Sequence, residues 1–204
     1  LVQQRHTARQ DFLYTRHYWY RSGTTQTMRN NLKEITIAAE RLVDLQPNDT
    51  VLDIGSNDGT LLRSYSKPCT KVGVEPAKNL QEEGYKGVHL LIEGFWNVRK
   101  VYESGRVSVT QADGYLSSFP KPKVITAIAM FYDLEDPNAF IADVAKALHP
   151  DGAFIAQLMC LKQTVELGDV GNLAHEHLEF YSLWSLTHLM NKHGLVIFDL
   201  EENN

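Results

Sequence analysis

The sequence predicts an α/β protein with a doubly wound, mostly parallel sheet, and two observations support this fold class. Short apolar runs typical of buried strands alternate with segments of helical period along most of the chain. Such alternation is typical of βαβ units, in which helices cover both faces of the sheet. The chain has 204 residues, of which 43% are hydrophobic and 22% charged, which is enough for one domain with a buried core.

The first elements can be justified in order from the amino terminus. Residues 1–27 are polar and aromatic without a clean period, so we treat them as an arm that precedes a domain of residues 28–204. Apolar residues at helical spacing predict a helix over 28–45, and Pro47, Asn48 and Asp49 then break the chain. The next predicted elements are a strand over 50–54, a helix over 61–66, a strand over 71–74 and a helix over 79–84.

The second half continues the alternation. Residues 88–92 and 107–110 are both strand candidates, and periodicity does not decide which is the third strand of the core sheet. A strongly apolar strand is predicted over 124–131, and a helix opened by Asp136 over 137–148. The last predicted elements are a strand over 153–159, a helix over 180–193 that Gly194 ends, and a strand over 195–200.

Both ends of the sequence look cut. The first residue is leucine rather than methionine, and the last residues follow directly on a predicted strand. We therefore expect a fragment of a longer protein, truncated at one or both ends.

Charge and composition argue against several classes of protein. The net charge of −5 is spread without a basic cluster, so we expect no nucleic-acid partner. The longest apolar runs are far shorter than the roughly 20 residues that span a bilayer, and the amino terminus lacks the apolar segment of a signal peptide. Cys69 and Cys160 cannot form a disulfide framework, so we expect reduced thiols in a cytoplasmic protein.

The segment after the first predicted strand carries the strongest chemical signal. Gly55 and Gly59 permit a tight turn from strand to helix, where backbone N–H groups can approach a ligand. A dinucleotide fingerprint also needs glycines at the third and sixth loop positions, which here are Asn57 and Thr60. The carboxylate of Asp53 would repel phosphate, as would that of Asp58. The loop therefore favours a cationic ligand without phosphate, and S-adenosylmethionine carries both a sulfonium and an α-ammonium.

The next predicted strand ends in a second carboxylate. Glu75 lies about 20 residues beyond the glycine loop, where an acidic residue usually grips the hydroxyls of a ribose. The alternative interpretation is a solvated strand end.

A dense polar cluster lies late in the chain, where His175, Glu176 and His177 precede Tyr181. The two histidines are not four residues apart on one helix and no cysteine is nearby, so we expect no metal site. Histidine is the side chain whose unperturbed pKa lies nearest neutrality, which suits a general base, and Glu176 could orient the imidazole. The alternative is a set of polar residues that caps the following helix.

These motifs resemble those of a known superfamily. The segment VLDIGSNDGTLL, followed by VGVEP and LHPDGAF, is similar to the class I S-adenosylmethionine-dependent methyltransferases. AHEHLEFYSLWSL, together with YWYRSGTTQTMR near the amino terminus, resembles the C-methyltransferases of nucleotide-linked keto-sugars. The resemblance implies that the arm helps to close the active site and that His177 is the base, which removes a proton from carbon beside a keto group.

The resemblance also implies a set of site residues. For the catalytic group we expect His177, Glu176, His175 and Tyr181. For the cofactor, which is converted to S-adenosylhomocysteine, we expect contacts from Asp53, Gly55, Asn57, Asp58, Gly59, Glu75, Pro76 and Met28. For a small-molecule substrate, which the resemblance implies is a nucleotide-sugar, we expect contacts from Tyr20, Ser22, Arg29 and Tyr132. Asp133 could line the methyl-transfer site, and Asp113 could contact adenine.

The chain departs from the sugar-methylating family in three features. The tyrosine that commonly precedes the His-Glu-His run is Ala174 here, and the amino-terminal zinc module and further carboxyl-terminal domain are missing from the sequence. The alternatives are therefore an O- or N-methyltransferase that acts on another small molecule, or a binding domain of this fold without activity. The sequence leaves the acceptor and the oligomeric state open.

Overall fold

A computed structural model describes residues 1–16, 18–98 and 120–202 of the chain. Within these residues the central sheet has five parallel strands, β2 (Thr50–Ile54), β3 (Thr70–Glu75), β4 (Leu90–Glu93), β5 (Val124–Ile128) and β6 (Ala153–Gln157). Their order across the sheet is β4-β3-β2-β5-β6. The order reverses between β2 and β5, which is the switch point where doubly wound sheets bind ligands. The predicted fold class is confirmed.

Each predicted helix is present with bounds that differ by a few residues, and two helices, Gln10–Tyr14 and Leu161–Leu167, were not predicted. The described α-helices are α1 (Gln10–Tyr14), α2 (Gln26–Leu42), α3 (Thr60–Ser64), α4 (Gln81–Gly84), α5 (Pro137–Ala147), α6 (Leu161–Leu167) and α7 (Leu183–Lys192). The side chain of Asp136 caps α5 through the N–H of Ala139, at 3.0 Å. Short 3₁₀ turns occupy Lys78–Leu80, Phe131–Asp133 and Val170–Asn172.

Two buried apolar clusters cover the two faces of the sheet. On one face Leu52 packs in a cluster that includes Ile141 of α5 and Met190 of α7. On the other face Val51 packs in a cluster with residues of α2 and α3, including Leu32. Successive side chains of a strand point to opposite faces, so the apolar residues of β2 supply both clusters, Leu52 and Ile54 on one face and Val51 on the other.

Three results concern individual predicted elements. Residues 195–200 do not form a strand, because this segment pairs with no other strand in the part of the chain that the structure describes, although Leu195 and Ile197 pack on the core. The predicted helix over 180–193 begins only at Leu183, after a capping box formed by Ser182 and Ser185. The third core strand is β4, from the first of the two candidate segments, and the candidate strand at 107–110 lies outside the described residues.

The arm contains regular structure that its sequence did not indicate. Its first strand, β1 (Val2–Gln3), pairs antiparallel with β7 (Glu179–Phe180), and α1 follows. Neither element has a repeating apolar pattern, and the partner of β1 lies more than 170 residues away in the sequence.

Candidate active site

A cavity lies at the carboxyl ends of β2, β3 and β5, with the arm as its outer wall. The arm contributes Gln10, Tyr14, Tyr18, Tyr20 and Ser22, and the start of α2 contributes Met28. The sheet side contributes the segment from Asp53 to Asn57, then Glu75 and Pro76, Trp96 after β4, and Ala129, Met130 and Asp133 after β5. The location agrees with the general rule for ligands of doubly wound sheets.

The turn after β2 depends on a left-handed backbone. Gly55 has φ of +72°, and its N–H donates to the carbonyl of Val74, at 2.9 Å. A Cβ added at Gly55 would lie 3.3 Å from Cγ of Met130. The backbone conformation therefore favours glycine, and an added Cβ would also require the side chain of Met130 to shift.

Asp53 is buried on the strand that leads into this turn. Its Oδ1 accepts a hydrogen bond of 2.5 Å from the hydroxyl of Thr126 on the neighbouring strand β5. Burial raises the pKa of Asp53 to about 7; the nearby Glu75 raises it as well, while the bond from Thr126 lowers it. A cation in the cavity would favour the ionised form.

Glu75 holds the two turns that meet at the cavity. One carboxylate oxygen accepts from the N–H of Asn57 and the other from the N–H of Ala77, both at 2.7 Å. Burial raises the pKa of this carboxyl, and the two backbone bonds oppose that effect. Each oxygen keeps a second lone pair, with which it could accept from a ligand hydroxyl.

Asn57 and Asp58 attach the arm to the glycine loop. The Asn57 side chain accepts from the N–H of Ser22, at 3.0 Å, and donates to the carbonyl of Tyr20, at 3.1 Å. The Asp58 side chain accepts from the N–H of Gly23, at 2.8 Å. Both side chains thus bind protein backbone, which neither was predicted to do.

Asp58 and Arg29 face a second, more open depression instead of the cavity. Arg21, Lys33 and Arg63 also line this depression. The guanidinium of Arg29 donates to the carbonyls of Gly23 and Thr24 at the arm's end. Gly59 is the N-cap of α3, with φ of +77°, and is not among the described residues that line the cavity.

The wall after β5 is strained and polar. Ala129 has φ of +54°, a conformation that costs a non-glycine residue roughly 1–2 kcal/mol. Asp133 accepts a hydrogen bond of 3.0 Å from the hydroxyl of Tyr14, and its main-chain carbonyl accepts from the side chain of Gln10. Burial raises the pKa of Asp133 to about 7.

His177 is not among the described residues that line the cavity, and neither is Tyr132, which it contacts and which directly precedes the wall residue Asp133. The ring of His177 packs edge-on against the ring of Tyr132, with centroids 4.8 Å apart. Its Nδ1 lies 2.9 Å from the carbonyl oxygen of Asn172. A carbonyl oxygen can only accept, so Nδ1 carries the hydrogen and Nε2 keeps its lone pair.

The other members of the predicted catalytic group lie in different surroundings. His175 is exposed, and the structure shows no hydrogen bond between the half-buried Glu176 and His177, both of which it describes. The carbonyl of Asn172 therefore orients the imidazole, instead of Glu176. Tyr181 is buried against Phe131, and its hydroxyl donates to Glu179, away from the cavity.

Three polar atoms in the cavity wall have no hydrogen-bond partner among the described residues. They are Oγ of Ser56, Nε1 of Trp96 and Oδ1 of Asp133, and all three are buried. Buried polar groups are nearly always paired in native proteins, so these atoms indicate a polar ligand.

Several wall residues were missed by the sequence analysis. Tyr14 and Tyr18 were seen only as part of an aromatic segment, and Gln10 and Trp96 carried no motif. Trp96 comes shortly after the carboxyl end of β4. Its position would have indicated a site residue if the sequence had identified β4 as the third strand of the sheet. Asp113 lies outside the described residues.

Two kinds of feature are absent from the described residues, a membrane-spanning helix and a cluster of metal ligands. Within residues 1–16, 18–98 and 120–202, no helix has the length and apolar character needed to cross a membrane. The same residues contain no group of three or more His, Cys, Asp or Glu side chains placed to hold a metal ion.

Comparison with known proteins adds independent findings. A family model described as a methyltransferase domain matches residues 24–200. The C-methyltransferase NovU of Streptomyces niveus is 26% identical over 202 residues, which are 98% of this chain and 45% of that protein. The chain thus spans less than half of that relative.

Solved structures resemble this one in fold. The YcgJ protein of Bacillus subtilis superposes with a TM-score of 0.57 at 19% identity, over 80% of this chain and 67% of that chain. Magnesium protoporphyrin IX methyltransferase of Synechocystis, solved with bound S-adenosylhomocysteine, gives a TM-score of 0.54 at 14% identity, over 85% and 74%.

Proposed function

Because the chain belongs to the methyltransferase domain family, we propose that it methylates a carbon atom of a small keto compound, with His177 as the base. The family match confirms the predicted class, an S-adenosylmethionine-dependent methyltransferase, and with it the predicted cofactor. The acceptor we propose is a nucleotide-linked keto-sugar. The proposal is carried by one observation, the hydrogen bond from Nδ1 of His177 to Asn172, which leaves the lone pair of the neutral imidazole on Nε2, next to Tyr132.

The residues around the cavity fit this cofactor. S-adenosylmethionine supplies a methyl group on a positively charged sulfonium, which is already an activated electrophile. We propose that Glu75 holds the ribose hydroxyls and that Asp53 holds the amino-acid end. The cavity wall contains carboxylates and, among its described residues, no lysine or arginine, which suits a cation.

Several other predicted residues keep a place in the proposal because they line the cavity. Gly55 supplies the close backbone approach, and Pro76 and Met28 supply apolar walls. Tyr20 and Ser22, at the end of the arm, would meet the substrate. Asn57 lines the cavity and also holds the arm, whereas Asp58 and Arg29 form hydrogen bonds with the arm but do not line the cavity.

The proposed role of the base follows from its surroundings. The carbonyl of Asn172 holds the hydrogen on Nδ1, so Nε2 is free to take a proton from the acceptor. The ring of Tyr132 limits rotation of the imidazole. General base catalysis typically contributes about 10²- to 10⁴-fold in rate. We leave Tyr181 and His175 out of the mechanism, because one is engaged in the core and the other is exposed.

The arm of residues 1–27 would close the active site. Tyr14, Tyr18 and Tyr20 line the cavity. The next residues of the arm, Ser22 and Gly23, form hydrogen bonds with the glycine loop. Ligand entry would therefore require the arm to open. As a location we propose the cytoplasm, since both cysteines are free thiols.

A keto-sugar acceptor is supported by the similarity to NovU and by the motif around His177. Carbon methylation needs a base more than the methylation of an amine does, and His177 has the free nitrogen that a base requires. An O- or N-methyltransferase is the second candidate, and it would depend less on His177.

The test combines a substrate screen with one substitution. Nucleoside-diphosphate keto-sugars are incubated with the full chain and S-adenosylmethionine, and products are screened for a mass increase of one methyl group. His177→Ala should lower turnover about 100-fold or more and leave the cofactor Kd unchanged. His188→Ala is the matched control, because His188 is exposed on α7. Full turnover in His177→Ala would remove this residue from the mechanism.

A further inference from the structure

Asp133 lies in the cavity wall, and only one of its two carboxyl oxygens has a hydrogen-bond partner among the described residues. Oδ2 accepts from the hydroxyl of Tyr14, at 3.0 Å, and the main-chain carbonyl accepts from Gln10. Oδ1 is buried and has no partner among the described residues. One bond from the arm to the carboxyl and one to the main chain thus hold this residue in place, while the second carboxyl oxygen stays available to a ligand.

The position of Asp133 distinguishes it from the other unpartnered groups. Ser56 lies in the glycine loop and Trp96 follows β4, on the far side of the sheet's switch point. Asp133 directly follows Tyr132, whose ring contacts His177 and whose carbonyl accepts from the N–H of Leu178. Of the three groups, it is therefore the one in the segment that contacts the base.

The surroundings favour a neutral carboxyl. Burial raises the pKa of Asp133 to about 7, the bond from Tyr14 lowers it, and Glu176 raises it again. Asp133 in turn raises the pKa of Tyr18 and of Tyr132. The described groups that shift the pKa of Asp133 include no cation. A neutral carboxyl carries a hydrogen that it can donate.

Removal of a proton beside a keto group places negative charge on the keto oxygen, which needs a hydrogen-bond donor in a site that excludes water. We propose that Asp133, held by Tyr14, is a catalytic residue that donates a hydrogen bond from its neutral carboxyl to this oxygen. The inference rests on the proposed carbon methylation and assigns to Asp133 a role separate from that of the base.

In this proposal, proton removal precedes methyl transfer. Nε2 of His177 takes the proton from the carbon, and the electrons of that C–H bond move into the enolate, whose oxygen accepts the hydrogen bond from Asp133. The enolate carbon then forms a bond to the methyl group, and the electrons of the broken carbon–sulfur bond stay on sulfur, which becomes a neutral thioether. The proton on His177 leaves to solvent, and Asp133 keeps its own hydrogen.

The test follows proton exchange, which does not require methyl transfer. A nucleoside-diphosphate 4-keto-6-deoxyglucose is incubated in D₂O with the full chain and S-adenosylhomocysteine, and deuterium uptake beside the keto group is measured by NMR. Asp133→Ala should slow uptake about 100-fold, the usual effect of removing one such donor. Asp133→Asn, which can still donate, should stay within about tenfold of the wild type. Glu135→Ala is the control, because Glu135 is exposed two residues away.

A pH profile separates this role from a purely structural one. Ionisation removes the hydrogen of Asp133, so wild-type uptake should fall on the alkaline side, and this fall should be absent in Asp133→Asn. Uptake in Asp133→Ala equal to the wild type would overturn the inference and leave the proposed function standing. Absence of uptake in the wild type would contradict both.

Discussion

The side chain of Gln4 forms a hydrogen bond with the backbone of His177. Its amide donates to the carbonyl of His177, at 2.9 Å, and to that of Ala174, at 2.8 Å. The N–H of Gln4 donates to the carbonyl of Leu178, at 2.8 Å. The arm therefore fixes the turn that carries the proposed base, although the two residues are 173 positions apart in the sequence.

Substitution Gln4→Ala should lower turnover and leave cofactor binding intact. Two hydrogen bonds of about 1 kcal/mol each hold the turn, so we expect kcat to fall about tenfold as the imidazole loses its orientation. Gln3→Ala is the matched control, since the amide of Gln3 donates to Glu179 instead. Steady-state kinetics and calorimetry on both variants check this; an equal loss of cofactor affinity and turnover would argue for general unfolding of the arm.

Cofactor affinity should depend on pH through Asp53. Burial raises the pKa of Asp53 to about 7, so the carboxyl is mostly neutral at pH 6 and mostly ionised at pH 8. A cationic ligand binds the ionised form better, so the affinity for S-adenosylmethionine should fall below pH 7, by at most about tenfold per pH unit. Calorimetry at pH 6 and pH 8 measures this. The Asp53→Asn variant should bind S-adenosylmethionine more weakly than the wild type at pH 8, and its affinity should depend less on pH. If the affinity of the variant changed with pH as in the wild type, Asp53 would be excluded as the source of the pH dependence.

A methyl group at Gly55 should abolish cofactor binding, whereas one at Gly168 should not. Both glycines have positive φ, +72° and +62°, so each alanine variant should lose about 1–2 kcal/mol of stability. The added Cβ at Gly55 would also meet Met130, at 3.3 Å, while the one at Gly168 meets nothing within 4 Å. Denaturant unfolding and cofactor titration separate the two effects. Tight binding by Gly55→Ala would show that the turn is not the cofactor loop.

Loss of the Asn57 side chain should free the arm. Asn57→Gly removes the bonds to Ser22 and Tyr20 but accommodates the positive φ of +53° at this position. We expect faster amide exchange at residues 20–22 and faster proteolysis of the arm. Asn48→Gly is the control, because Asn48 also has positive φ, +76°, but lies away from the arm, before β2. Equal exchange in both variants would mean that other contacts hold the arm.

Much of the fold was predictable because it is encoded locally. The apolar run of β2 and the periodic helix before it indicate a buried strand and its covering helix, and Gly55 marks the turn between strand and helix. Segment 195–200 shows the limit of such patterns: it begins with a run of four apolar residues that is typical of a buried strand, but no described segment supplies its hydrogen bonds. A strand is defined by its partner, which the pattern does not specify.

The sequence by itself determined the alternating α/β order, the glycine loop with its carboxylates and the presence of a histidine cluster near the end of the domain. Only the tertiary structure decided that Asn172 orients His177, that Asn57 and Asp58 hold the arm, and that Asp133 keeps an oxygen free in the cavity wall. The physical reason is range. Periodicity and turn residues report regular local structure. The bonds that join Asn57 and Asp58 to the arm, and the burial that alters each pKa, depend on which distant segments the fold brings together, and the bond between Asn172 and His177 lies in an irregular turn that no repeating pattern marks.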